Sequence, residues 1–198
     1  MTTTKANKIN PSTNSLAVTM LLFIASGAIS LVFVQENHSL PLLAFGLYCA
    51  LNIIAPAVYW IEKTTTRENL LDIASLLHRV RGVGFYILAF ELMLNGGASF
   101  FVEPKESYTL IGLWIGLGAL PLFWFLMRIQ KLTGFAQLAE TSKTGLFFAG
   151  LLSVSSLLSW ATNTPYPEAI AGLGLAYVAF KEGQKGTAQG KCFCEVPR

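Results

Sequence analysis

Charge is what this chain has least of. Lys, Arg, Asp and Glu together fill 13% of its 198 positions, about half of the roughly 25% usual in soluble proteins. Cysteine occurs three times, at Cys49, Cys192 and Cys194, and histidine twice, at His38 and His78. Three thiols exclude a disulfide scaffold, and two distant imidazoles make no histidine cluster or haem-ligand pair. No nucleophile constellation and no nucleic-acid motif is present, so neither an enzyme nor a nucleic-acid binder is expected. What fills the space is apolar: 53% of residues are hydrophobic and the mean hydropathy is +0.54.

The apolar residues fall into six runs: 15–34, 39–60, 82–102, 108–127, about 143–160 and about 168–180. A helix needs about 20 such residues to cross the hydrocarbon core. The first run has the look of a signal peptide, but it exceeds a typical h-region and no A-x-A site follows, so it reads as a retained helix. Only QENH separates it from the second run, which makes the two a tight hairpin. The sixth run is short, with ends open at Pro165 and a turn past Phe180. The stretch 61–81 is loosely amphipathic through Leu70, Ile73, Ala74 and Leu77; it either lies on the membrane interface or extends the third helix inward. The expected fold is an all-α, six-helix transmembrane bundle (15–182) with no soluble domain. A short tail (1–14) precedes it and a disordered tail (183–198), rich in Gly, Lys and Gln, follows.

Orientation follows from where the cations are. Thirteen of the fourteen Lys and Arg residues lie in the two tails and the second and fourth connections; only Lys105 lies in the opposite set. Such a partition fits the positive-inside rule for an even number of spans. It predicts a multi-pass protein of the cell (inner) membrane with both termini cytoplasmic and the lipid bilayer as its surroundings.

Polar groups at hydrocarbon depth are the candidates for function. Glu91 is the acidic residue well inside a span, either a proton or cation carrier or a protonated, hydrogen-bonded carboxyl. Tyr48 and Asn52 stand four apart on one face of the second helix; they either line a polar path or hydrogen-bond between helices. Pro56 removes the backbone donor that Asn52 would need, which favours a kink. Lys143, with Glu140 three residues before it, is either a gate with Glu140 at the cytoplasmic mouth or a snorkelling interfacial pair. Cys192 and Cys194 are either cytosolic thiols or a transient soft-metal point. Gly112 and Gly116, and the Ala171–Ala176 region, read as small-residue seams for close helix contact, within the chain or across a dimer.

The run HSLPLLAFGLYCALN, entering the second helix, resembles the S-L-A-L-L-A-D-x-x-H-x-x-x-D start of the second helix in cation diffusion facilitators. AETSKTGLFFAGLLSVSSLLSW and PEAIAGLGLA resemble that family's fifth helix and the start of its sixth. The likeness spans roughly residues 15–182. It implies a cation-efflux bundle, often a homodimer, with a divalent metal ion held by i, i+4 pairs on the second and fifth helices. Those positions fall on Tyr48 and Asn52, with Phe45 upstream, and near Lys143 and Phe147, within a residue or more. None is a good divalent ligand, and a lysine opposes cation binding. Two readings follow. One is a transporter, of cation/proton exchange type, with an atypical or lost metal site built on Tyr48, Asn52, Glu91 and Lys143. The other is a non-transporting accessory or assembly subunit on the same scaffold.

Overall fold

The computed structural model describes residues 11–37, 39–64, 68–101 and 110–192. Among the described residues seven helices pass along the bundle six times: α1 Pro11–Asn37, α2 Leu40–Asn52 with α3 Ile54–Thr64, α4 Glu68–Ala98, α5 Ile111–Leu132, α6 Ala136–Thr162 and α7 Tyr166–Cys192. Five passes are long and apolar enough to cross a membrane: Ser15–Gln35, Leu40–Ile61, Ile73–Ala98, Ile111–Leu132 and Ala136–Thr162. The sixth pass, α7, is 27 residues long but apolar only in its first half.

Local chemistry explains the joints. Ser39 is extended and Pro41 opens α2, where its missing N–H is no loss. Pro56 leaves the Asn52 carbonyl without its i+4 donor, and the ladder loosens one turn earlier: Ile53 N–H bonds to the Ala50 carbonyl three residues back at 3.3 Å. Ile53 keeps right-handed helical angles (φ −62, ψ −31), so α2 and α3 are two halves of one pass with a soft joint. Between α5 and α6 the chain turns in three residues. Gly134 takes φ +81, Phe135 N–H reaches the Gln130 carbonyl at 2.8 Å and Gly134 N–H the Lys131 carbonyl at 3.3 Å. That pair of bonds is a Schellman cap.

The α2 helix sits at the centre, touching α1, α4, α6 and α7, while α5 closes the outer ring through α1 and α6. Its side chains are buried on all sides, including Leu42, Ala44, Phe45, Tyr48 and Cys49, as expected of a helix with no outer face. The peripheral helices invert the soluble pattern. Leu21 on α1, Phe90 on α4, Trp114 on α5, Val154 on α6 and Ile170 on α7 are all exposed, which clothes the bundle in apolar groups suited to hydrocarbon.

Two seams of small residues set the closest approaches. On α5, a Cβ added to Gly116 would lie 2.7 Å from the Ala149 carbonyl oxygen of α6, and one on Gly112 would strike Ser156 Oγ. On α4, a Cβ on Gly82 would lie 2.8 Å from Thr187 N, and one on Gly186 of α7 would lie 2.8 Å from Gly82 Cα. The Gly112/Gly116 pair is thus used inside the chain.

Three expectations are corrected or decided here. Of the stretch 61–81, residues 68–81 extend the third run's helix, since α4 runs unbroken from Glu68, while 61–64 end α3 and 65–67 lie outside the described residues. The fifth pass begins at Ala136, seven residues before the expected 143, because the Schellman turn lets α6 start at once. The tail expected to be disordered from 183 continues as helix through Cys192. Its glycines, Gly183 and Gly186, are the contact surface with Gly82 and Tyr86 on α4, so residues that lower intrinsic helix propensity are held by packing.

Overpacking a tight seam costs about 1–3 kcal/mol. Gly82→Ala is expected to lower the unfolding midpoint of the purified protein in detergent by that measure. Gly118→Ala, where nothing lies within 4 Å of an added Cβ, is expected to leave it unchanged or raise it. Equal behaviour of the two variants in a thermal melt would remove the seam.

Candidate functional site

The polar side chains of the interior converge where α2 ends. Tyr48 and Asn52 project from one face of α2. Asn52 Nδ2 donates to the Tyr48 carbonyl at 2.8 Å, and its Oδ1 accepts from Arg81 Nη2 of α4 at 2.7 Å. The same guanidinium nitrogen stands 3.7 Å from Glu182 Oε2 on α7. Glu182 Oε1 accepts from Lys185 Nζ at 2.7 Å and, more weakly, from Thr144 Oγ1 of α6 at 3.5 Å. One cluster therefore joins α2, α4, α6 and α7.

Arg81 and Glu182 are 7% and 8% exposed. Charges so far from water persist only with partners, and the partners come from four helices. The guanidinium also lies over the Phe85 ring, 5.5 Å from its centre, a cation–π arrangement. Beyond Arg81 the interior turns dry. Tyr48 donates its hydroxyl to the Thr141 carbonyl of α6. Its ring stacks on Phe148 with centres 4.3 Å apart and tilts against Phe85. Phe23 and Phe45, edge-on to Phe123, continue this aromatic plug. A separate buried knot ties α1, α5 and α6: Gln130 donates to Thr19 at 3.2 Å and accepts from Ser142 at 2.7 Å.

On the side away from the plug, a cavity of ≈ 320 Å³ opens among α3, α4, α6 and α7. Arg81, Glu182, Lys185 and His78 give it charge and donors; Ala55, Tyr59 and Leu138 give it an apolar wall; Gln137, Glu140 and Thr141 complete the lining. Two buried nitrogens in that lining, Arg81 Nε and His78 Nδ1, have no hydrogen-bond partner.

Of the residues expected to form a site, Tyr48 and Asn52 are brought together, Tyr48 against α6 and Asn52 against α4. Lys143 is not brought to them: it is 68% exposed on the outer face of α6 and ion-paired with Glu140 at 3.9 Å. Phe147 is exposed on that face as well. The inward face of α6 carries Thr141, Gly145 and Phe148 instead, so the register of the expected pair is displaced. Glu140 reaches the cavity rim. Glu91 lies ten residues along α4 from Arg81, about 15 Å at 1.5 Å per residue. It is half-buried beside exposed Ile87 and Leu94 and takes no part in the cluster. Cys194 and the side chain of Cys192 lie outside the described residues. Cys49 is a free, buried thiol.

The residue types do not fit a divalent metal. Tyr48 and Asn52 are weak ligands for zinc, a guanidinium is bonded to Asn52, and no group of three or more His, Cys, Asp or Glu is clustered for metal among the described residues.

Arg81, Glu182 and Lys185 escaped the sequence reading because the span limits of 82 and 180 put them outside the helices, and His78 reads from sequence only as a lone loop histidine, more often structural or solvated than a ligand. A signal was present. Ala74, Arg81, Phe85, Leu88 and Leu92 recur at helical spacing and all are buried, which puts Arg81 on the core stripe of α4. Leu175, Ala179, Glu182 and Gly186 do the same on α7. Compared with protein-family models and with curated proteins, the chain matches none.

Removing one partner of a buried charged pair costs about 3–5 kcal/mol, while replacing both with apolar groups is often neutral. Arg81→Met is expected to destabilise the protein in that range, and Arg81→Met with Glu182→Met to recover part of the loss. Denaturation of the three proteins in one detergent tests this. Strict additivity of the two single changes would show that the side chains are not coupled.

Proposed function

We propose that this chain is a six-pass membrane transporter of cation-efflux-like architecture that has lost the divalent-metal site. It binds its substrate in the charged cavity between α3, α4, α6 and α7. Both termini and that cavity face the cytoplasm, and α7 is the sixth span. The resemblance of the second, fifth and sixth helices supports the architecture, and the partition of Lys and Arg supports the orientation.

The observation that carries the reading is the guanidinium of Arg81, hydrogen-bonded to Asn52. Asn52 is the second-helix position at which the resemblance puts a metal ligand. A tethered cation there repels a free one at short range. It leaves the polar volume next to it, the ≈ 320 Å³ cavity, as the place for a substrate. The aromatic plug of Tyr48, Phe85 and Phe148 closes the far side, as alternating access requires of one of its states.

The dryness of that plug also favours a second reading, a non-transporting accessory subunit in which the Arg81 cluster only locks four helices together. Proteoliposome flux separates the two. Zinc, cobalt, cadmium and manganese uptake is expected to stay at the level of empty liposomes, with or without a pH gradient. Saturable uptake is expected for at least one solute in a panel of small carboxylates, amines and sugars, reduced tenfold or more by Asn52→Leu. Divalent flux above empty liposomes would overturn the loss of the metal site. Uptake of nothing in the panel would leave the accessory reading. Reporter fusions at the two termini are expected to report the cytoplasmic side in both cases; a terminus on the opposite side would overturn the orientation.

A further inference from the structure

The cavity wall carries its own description of what it would hold. Its charges are the buried Arg81 and Glu182, with Lys185, 59% exposed, and Glu140 at the rim; Glu182 already accepts from Lys185 at 2.7 Å and faces Arg81 at 3.7 Å. Glu140, at the rim, is 67% exposed and paired outward with Lys143. With the Glu140–Lys143 pair left out, the wall has one more cation than anion, and its buried carboxylate is engaged.

Two donor positions are also left over. Arg81 Nε and His78 Nδ1 are buried and without partners, an arrangement that native interiors avoid unless something else satisfies them. They lie three residues apart on α4, hence side by side on one face. A guanidinium Nε–H donates, and an imidazole nitrogen can donate when it carries the proton. A carboxylate has two oxygens to accept such a pair. The rest of the lining is not suited to a hydrated inorganic ion: Ala55, Leu138 and the ring of Tyr59 form an apolar wall, and Tyr59 is fixed edge-on to Phe135 with centres 5.1 Å apart. The volume of ≈ 320 Å³ is at the small end for ligand pockets, about 300–1,000 Å³.

We infer that this cavity is a binding site for a small organic monocarboxylate. Its carboxylate is held by Arg81 and His78, and its hydrocarbon part lies toward Ala55, Leu138 and Tyr59. The inference deepens the transporter reading and rests on it for the role of the site. An added cation would find no free buried carboxylate, and a dianion would exceed the single spare positive charge.

Radiolabelled butyrate is the probe, with the full chain in lipid nanodiscs. Binding is expected to be saturable and unaffected by excess butyramide or chloride. His78→Leu should weaken it tenfold or more with little change in the ligand-free unfolding midpoint. Ala55→Leu, which fills the cavity from α3, should abolish it, while Lys131→Gln, exposed on α5 away from the cavity, should leave it unchanged. Lack of saturable binding by folded protein, equal competition by butyramide, or indifference to both cavity variants would overturn the proposal. Butyrate that binds but is not carried into proteoliposomes would uphold the site and remove the transport role. A different solute that is carried, while butyrate neither binds nor competes, would do the reverse.

Discussion

A guanidinium cannot be taken out of water unless acceptors come with it, and that requirement organises one end of this bundle. Arg81 is reached by Asn52 from the central helix and by Glu182 from α7; Glu182 in turn is reached by Lys185 and Thr144. Each partner sits on a different element or a different turn. The cluster therefore ties the end of α2 to α4 at Arg81 and to the more polar second half of α7 at Glu182. The Gly82–Gly186 approach serves the same end, since only backbones in contact bring Glu182 of α7 within reach of Arg81 of α4.

The bundle is packed in two different ways. Its ring helices meet through glycine and serine: Gly112 and Gly116 against Ser153 and Ser156, and Gly82 against Gly183 and Gly186. Without a hydrophobic effect to press helices together in lipid, such seams gain van der Waals contact by close approach. Around the central helix the filling is aromatic, with Phe23, Phe45, Tyr48, Phe85, Phe123 and Phe148 all fully buried. Large rings need space between axes, and the central α2 has four neighbours to provide them. Small residues thus set the outer ring and large ones the middle.

How much was legible follows from the kind of signal each feature leaves. The five membrane-length helices were readable because apolar runs of about 20 residues leave a hydropathy signal residue by residue. The joint in the second pass was readable from Pro56, which acts on a backbone group four residues away. The ends of α4 and α7 were not, because a span limit drawn at the first charge assumes that charge means solvent. Arg81 is matched by partners more than twenty residues distant, Asn52 and Glu182, and nothing local reports that; Glu182 has a local partner in Lys185 as well. Lys143 failed in the opposite way. A spacing of i, i+4 names two faces of α6 a residue or two apart, and only the packing of Phe148 on Tyr48 decides which one looks inward.

The joint at Ile53 divides the polar site between two levers. Asn52 and Tyr48 belong to the half that is wedged among aromatic rings, whereas Ala55 and Tyr59 belong to the half that walls the cavity. The ladder is irregular between them, with Ile53 N–H turned to the Ala50 carbonyl three residues back, so the direction of α3, and with it the width of the cavity, is set apart from the Tyr48–Phe148 stack. A single proline, three residues past the joint, thereby separates the part of the second pass that is wedged among rings from the part that lines the cavity.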